Sequence, residues 1–137
     1  MLFKEPKIIE ISKYGDEEKG YLSVVEALDN PFPFEIKRVY WTYGAKEGVV
    51  KGNQANKRTH QLLIAIQGSA TIELESKDGE KTLFAIDSPN KAMYIPPMHW
   101  RKVIPSKGAI LLNLSSEKYS KEEILSNYQD FIDSPTY

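Results

Sequence analysis

The chain contains no cysteine, which excludes a disulfide framework, thiolate-bound zinc, iron–sulfur clusters and a cysteine nucleophile. The chain also has no large excess of one charge, because it contains 18 Lys and Arg and 19 Asp and Glu. Without a basic stripe, a nucleic acid is not an expected partner. No apolar run approaches the roughly 18 residues of a membrane span, and the N-terminus lacks the apolar core of a signal peptide. We therefore expect one cytoplasmic domain over residues 1–137, away from the membrane.

Short segments in which apolar and polar residues alternate make up most of the chain, as is typical of β-strands. Turn residues separate these segments, and Asp78-Gly79 predicts the tightest hairpin. Short strands at such even spacing indicate a β-sandwich or a closed barrel. The eight predicted strands are Tyr21–Ala27, Ile36–Tyr43, Gln61–Ile66, Ala70–Glu75, Thr82–Ile86, Ala92–Ile95, Trp100–Ile104 and Ala109–Leu114.

One helix is predicted near the C-terminus. Ser120 and Glu123 have the spacing of a capping box, in which each side chain satisfies a free backbone N–H of the first turn. An apolar face would follow at helical spacing. Its members are Ile124, Leu125, Tyr128 and Ile132.

Two segments, residues 51–68 and 94–101, resemble the two signature segments of the cupins, which are jelly-roll barrels. The places that hold the metal ligands in many cupins are taken here by Gln54, Asn56, His60 and Arg101. A divalent metal prefers carboxylates or neutral imidazoles, and of these four residues only His60 could supply such a ligand. Arg101 would also repel a cation, so we expect no metal and no other cofactor.

A more specific resemblance is carried by residues 30–41, which read NPFPFEIKRVYW and are similar to the PF-x-IKRVYY strand of the dTDP-sugar 3,4-ketoisomerases, the WxcM-like cupins. It continues through Lys51-Gly52, Gln61–Ile64 with Gly68-Ser69, Asp87-Ser88-Pro89, Tyr94–Trp100 and the tail 117–131. It implies an all-β jelly-roll barrel with one C-terminal helix, active as a homodimer. It further implies conversion of dTDP-4-keto-6-deoxyglucose to its 3-keto isomer, in the synthesis of deoxysugars for surface polysaccharides such as lipopolysaccharide.

The chain departs from this family at the place of its active-site histidines. Relatives carry His-x-His-Lys where this chain has Gln54-Ala55-Asn56-Lys57, and amides do not accept protons near neutral pH. Proton transfer between sugar carbons 3 and 4 needs acid–base groups. Two functions therefore stay open: a ketoisomerase whose proton carrier is His60, Tyr94 or a bound water, and a catalytically inert cupin that binds a dTDP-sugar.

Six residues are predicted to contact the substrate: Arg38, Lys51, Gln54, Asn56, Trp100 and Arg101. The cationic residues would bind the diphosphate, since a guanidinium can donate two parallel hydrogen bonds to phosphate oxygens. Each residue also has a plainer interpretation, as a surface charge, a polar loop residue or, for Trp100, core filling. A lone histidine near the start of a strand is more often a hydrogen-bonded core residue, which is the plainer interpretation of His60, and we expect His99 to be exposed at the barrel rim.

Overall fold

The alternating pattern produces strands along most of the chain. The computed structural model describes residues 5–26 and 34–135, and within them it contains twelve strands and one α-helix. The strands are β1 (Lys7–Glu10), β2 (Lys13–Asp16), β3 (Gly20–Ser23), β4 (Arg38–Thr42), β5 (Lys51–Asn56), β6 (Gln61–Gln67), β7 (Ala70–Glu75), β8 (Lys81–Ile86), β9 (Lys91–Ile95), β10 (Trp100–Pro105), β11 (Ile110–Ser115) and β12 (Ile124–Leu125). A 3₁₀ turn (Lys121–Glu123) precedes β12, and the helix α1 (Tyr128–Asp133) follows it.

Two five-stranded antiparallel sheets form the body of the protein. The first has the order β1-β9-β6-β11-β4 and the second the order β12-β5-β10-β7-β8, while β2 and β3 form a separate hairpin. Between the sheets lies the main apolar cluster, to which Leu63 contributes from the first sheet and Ile72 and Val103 from the second. The interior of the barrel is therefore the space between these two sheets.

Alternation along β6 determines which side chains face that interior. Leu63 and Ala65 belong to the cluster between the sheets, whereas Leu62 and Ile64 belong to a second cluster on the outer face of the first sheet. Because successive side chains of a strand point to opposite faces, Gln61 also faces the interior.

Four strands were not predicted, namely β1, β2, β5 and β12. β5 reads KGNQAN and has no apolar alternation, so its strand conformation comes from pairing with β10 and β12. The first two predicted strands are shorter than expected, since β3 ends at Ser23 and β4 begins at Arg38. Ala27, the predicted end of the first, lies outside the described residues.

The predicted capping box is wrong, because Glu123 makes long-range contacts instead. Its carboxylate accepts hydrogen bonds from the Arg58 N–H at 2.9 Å and from the Thr59 hydroxyl at 2.8 Å. Residues 124–125 then pair with β5, so the helix begins only at Tyr128, where the Asn127 side chain accepts from the Asp130 N–H. Phe131, which was not in the predicted apolar face, is its buried residue.

The C-terminal segment covers the outer face of the second sheet. Phe131 packs with Ala55 of β5, with Trp100 at the start of β10, and with Met98, which precedes β10. The Lys77 ammonium, in the turn between β7 and β8, donates to the carbonyls of Phe131 and Ile132 at 2.7 Å each, and also to that of Ser134. A cation at the last carbonyls of a helix is favourable, so Lys77 holds α1 against the barrel.

Candidate active site

A polar pocket of about 180 Å³ lies inside the barrel, where β4 and β11 of the first sheet face β5 and β10 of the second. Register explains the convergence, because Gln54 pairs with Arg101 across one sheet and Tyr40 pairs with Asn113 across the other. The lining residues are Tyr40, Thr42, Lys51, Gly52, Gln54, Leu63, Arg101, Val103, Leu111 and Asn113. Three of the six predicted substrate contacts, Lys51, Gln54 and Arg101, therefore lie on one cavity.

Arg101 dominates the electrostatics of this pocket. The residue is only 5% exposed, its Nη1 donates to the Gln61 Oε1, and its Nε and Nη2 have no hydrogen-bond partner among the described residues. Burial lowers its pKa to about 10, and its electrostatic interaction with Tyr40 opposes that shift. Arg101 is thus a cation at neutral pH. No Asp or Glu occurs among the described residues that line the pocket, so this charge calls for an anion.

Gln61 connects Arg101 to Tyr40. Its Nε2 donates to the Tyr40 hydroxyl oxygen at 3.2 Å and to the Ser115 hydroxyl at 2.9 Å, while its Oε1 accepts from Arg101. The amide orientation is fixed by these partners, and the proton of Tyr40 stays available for a ligand in the pocket. Sequence reasoning missed Gln61, although alternation back from Leu63 would have placed it inside.

His60 and Tyr94 lie on the other side of the first sheet. The His60 Nδ1 is 2.7 Å from the Tyr94 hydroxyl, and the imidazole stacks on Phe34 with ring centroids 5.9 Å apart. Tyr94 and Phe34 belong to the outer cluster, and neither His60 nor Tyr94 lines the pocket. The structure therefore does not bring these two predicted proton carriers together with Gln54 or Arg101.

Burial governs the protonation of both groups. It raises the pKa of Tyr94 to about 12, and it lowers the pKa of His60, against the opposing electrostatic effect of Glu117. Both side chains are consequently neutral at pH 7. This is the hydrogen-bonded core arrangement that was the plainer interpretation of His60.

Trp100 and His99 also differ from their predicted surroundings. Trp100 alternates with Arg101 and lies on the outer face of the second sheet, under α1, with ring centroids 5.3 Å from Tyr128 and 5.7 Å from Phe131. It fills a core, which was the alternative to a substrate contact. His99 was expected to be exposed, but it is half-buried, its Nδ1 lies 2.9 Å from the Pro97 carbonyl oxygen, and burial lowers its pKa.

Arg38 and Asn56 continue the polar interior beyond the pocket wall. Arg38 lies two residues before Tyr40 in β4, with its guanidinium 4.9 Å from the Tyr40 ring and 5.7 Å from the Tyr119 ring. Asn56 lies two residues after Gln54 in β5. The Arg38 Nε and the Asn56 Nδ2 are buried without a hydrogen-bond partner among the described residues, so both are donors that face no acceptor.

Residues 5–26 and 34–135 contain no group of three or more His, Asp or Glu side chains that could hold a metal ion. No helix in the same ranges is long and apolar enough to cross a membrane.

The fold is shared with sugar 3,4-ketoisomerases, which places the chain in the class of cupin-type ketoisomerase barrels. The TDP-quinovose 3,4-ketoisomerase of Campylobacter jejuni superimposes with a TM-score of 0.88 at 31% identity, over 96% of this chain and 100% of that one. The ketoisomerase QdtA of Thermoanaerobacterium thermosaccharolyticum gives a TM-score of 0.86 at 31% identity, over 96% of this chain and 94% of that one. Its structure carries a histidine-to-asparagine substitution and contains TDP-4-keto-6-deoxyglucose.

The sequence comparison agrees. The TDP-4-oxo-6-deoxy-α-D-glucose-3,4-oxoisomerase of Aneurinibacillus thermoaerophilus is 29% identical over 128 residues, which are 93% of this chain and 90% of that protein. Residues 4–135 match the family described as FdtA: WxcM-like, C-terminal. The chain belongs to this family, and the predicted all-β cupin fold is confirmed.

Proposed function

We propose that the chain converts a dTDP-4-keto-6-deoxyhexose to its 3-keto isomer, with the sugar ring in the interior pocket. The pocket is the observation that carries this proposal, because a tyrosine hydroxyl, side-chain amides and a buried cation converge in the interior of a ketoisomerase-type barrel. Relatives named for this reaction cover nearly the whole chain. The proposal includes surface polysaccharides such as lipopolysaccharide as the destination of the sugar. It also includes a cytoplasmic location, which fractionation of the source cells would test.

The size of the pocket indicates which part of the ligand it admits. Its volume of about 180 Å³ is below the roughly 300–1,000 Å³ of sites that enclose a drug-sized ligand, so the nucleotide extends outside. Lys51 is half-buried on the pocket wall, while Arg101 is buried more deeply. The diphosphate accordingly lies near Lys51, and the sugar ring lies against Tyr40, Gln54 and Arg101.

The reaction requires proton transfers that Tyr40 is placed to carry out. Water takes the proton of sugar carbon 3, which leaves a carbon 3–carbon 4 enediolate, and Tyr40 donates its proton to the oxygen at carbon 4. The Tyr40 phenolate then takes the hydroxyl proton at carbon 3 while water returns a proton to carbon 4, so two protons leave the sugar and two are gained. Gln54 and Asn56 cannot accept protons near pH 7, and Tyr40 is the lining residue that shares hydrogen bonds with the Gln61–Arg101 pair. His60 and Tyr94 lie beyond the sheet that bounds the pocket, and their catalytic role stays a prediction from the sequence.

A second function is favoured by the amides themselves. Gln54 lines the pocket where relatives carry a histidine, and hydrogen bonding is all that its side chain offers. The histidine-to-asparagine form of QdtA holds TDP-4-keto-6-deoxyglucose, so in that relative the substitution is compatible with binding. A catalytically inert dTDP-sugar-binding protein is therefore the alternative.

Binding of dTDP is expected in both cases and is the first test. At 100 times its dissociation constant the nucleotide should stabilise the fold by about 2.7 kcal/mol, a shift of several degrees in Tm. Lys51→Ala should reduce that shift, while Lys102→Ala serves as the matched control, because Lys102 is exposed and contacts Glu73 at 3.8 Å on the outer face. Differential scanning fluorimetry gives the measurement. No shift at millimolar dTDP would contradict both functions.

A homodimer is also part of the proposal. The edge strand β4 exposes Val39 and Trp41 on the outer face, and Trp41 is 58% exposed. An exposed apolar edge strand favours pairing with a second chain. Light scattering should give twice the chain mass of 15.6 kDa, and Trp41→Lys should give the monomer. Leu83→Lys, at an exposed position of the opposite edge strand β8, should leave the dimer intact. A monomeric wild-type protein at 100 µM would contradict this part.

A further inference from the structure

Donors without acceptors cluster in the barrel interior. Arg101 leaves Nε and Nη2 unpartnered, and Asn56 leaves Nδ2 unpartnered on the same face of β5 as the pocket residue Gln54. All of these atoms can only donate hydrogen bonds. These donors therefore suit a ligand oxygen that accepts hydrogen bonds. A negatively charged oxygen would also compensate the charge of Arg101.

The proposed substrate does not supply that charge at this depth. Its negative charge resides on the diphosphate, which in the proposed binding mode lies outside the small pocket near Lys51, whereas the 4-keto-6-deoxyhexose ring is neutral. Arg101 then faces a neutral ring in the substrate complex and remains an uncompensated buried cation. The charge is compensated only when proton removal from carbon 3 places a negative charge on the oxygen at carbon 4.

We infer that Arg101 stabilises the enediolate oxyanion of the isomerisation, with Gln61 holding the guanidinium in position through its Nη1. An interaction that strengthens only when the intermediate forms lowers the barrier without tightening substrate binding. Preorganised donors of this kind contribute roughly 10²–10³ in kcat when the site excludes water. The inference rests on the proposed function, and it assigns to Arg101 a role other than binding the diphosphate.

The test measures deuterium incorporation at sugar carbons 3 and 4 from dTDP-4-keto-6-deoxyglucose in deuterated water. Arg101→Gln should lower kcat by roughly 10²–10³, while the affinity for dTDP and KM should change less than about threefold because the ground state gains little from Arg101. Arg101→Lys keeps the charge and should recover part of the rate. Lys102→Gln, its exposed neighbour, should behave as wild type.

The outcomes separate the inference from the function on which it rests. If Arg101→Gln weakens dTDP binding and leaves kcat unchanged, Arg101 binds the diphosphate and the inference is wrong, while the isomerase function stands. An unchanged kcat with unchanged affinity also overturns it. If the wild-type protein incorporates no deuterium, the isomerase function fails and the inference with it. If circular dichroism shows that Arg101→Gln does not fold, Arg101→Lys replaces it in the test. A lower kcat with an unchanged KM in Arg101→Lys would then support the inference, and a higher KM with an unchanged kcat would overturn it.

Discussion

Replacement of Tyr40 by Phe is expected to lower the rate of deuterium exchange at sugar carbons 3 and 4 by roughly 10²–10⁴, the usual contribution of a general acid–base group. The Tyr40 oxygen accepts from Gln61 at 3.2 Å and keeps its own proton for the ligand, on the wall of the pocket that contains Arg101. Phe retains the ring, including its contact with the Arg38 guanidinium at 4.9 Å. The dTDP-induced shift in Tm should therefore persist, so that the loss is one of chemistry.

Three variants give this expectation its controls. Tyr43→Phe changes an exposed tyrosine just after the same strand and should leave exchange unchanged. His60→Ala and Tyr94→Phe remove the 2.7 Å pair on the outer face, and we expect lower stability with exchange within about tenfold of wild type. If exchange collapses in His60→Ala and survives in Tyr40→Phe, the proton carrier is His60 and the pocket assignment is wrong.

A wild-type protein that shows no deuterium exchange would favour the second function, sugar binding without catalysis. In that case Gln54→His combined with Asn56→His should create isomerisation, because the two imidazoles would supply the proton acceptors that the amides lack. Exchange that appears only in this double variant would identify the natural protein as a dTDP-sugar-binding relative.

One residue of register separates the predicted site from the observed one. The motif spacing placed His60 at the third ligand position of the cupins, but the side chain that contacts Arg101 across the interior is that of Gln61. A shift by one residue along a strand moves a side chain to the opposite face of the sheet. A motif comparison can therefore be wrong by one residue in its spacing, and in a strand that one residue decides whether the side chain faces the interior or the outer face. Counting alternation from the apolar residues of β6 is the signal that would have corrected it.

Long-range contacts account for the rest of the difference. Gln54 and Arg101 were predictable, because their strands and the family motif agree on the interior face. The position of Trp100 depends on α1, which covers it from more than twenty residues further along the chain. The Glu123 carboxylate likewise accepts hydrogen bonds from Arg58 and Thr59 and does not form the predicted capping box with Ser120. Neither choice is encoded in the local pattern, since each follows from tertiary packing that offers a buried surface or two free donors.

Replacement of Phe131 by Ala is expected to have the largest effect on stability, with a loss of about 3–5 kcal/mol in the free energy of unfolding. The Phe131 side chain is fully buried between α1 and the second sheet, where it packs with Ala55, Met98 and Trp100. A six-residue helix is not stable by itself, so α1 depends on this contact and on the bonds from Lys77. Urea unfolding gives the measurement, and a loss under 1 kcal/mol would contradict it.

Ile132→Ala is the matched control, because the neighbouring side chain is 37% exposed and should cost far less. The consequence reaches the pocket through strand alternation: Ala55 lies between Gln54 and Asn56, and Trp100 precedes Arg101. When α1 detaches, β5 and β10 lose the packing on the reverse side of the very residues that line the pocket. Binding of dTDP should therefore weaken in Phe131→Ala at temperatures where the barrel is still folded, and Ile132→Ala should retain it. If the affinity in Phe131→Ala equals that of wild type while α1 is shown by proteolysis to be detached, the C-terminal segment stabilises the barrel without positioning the site.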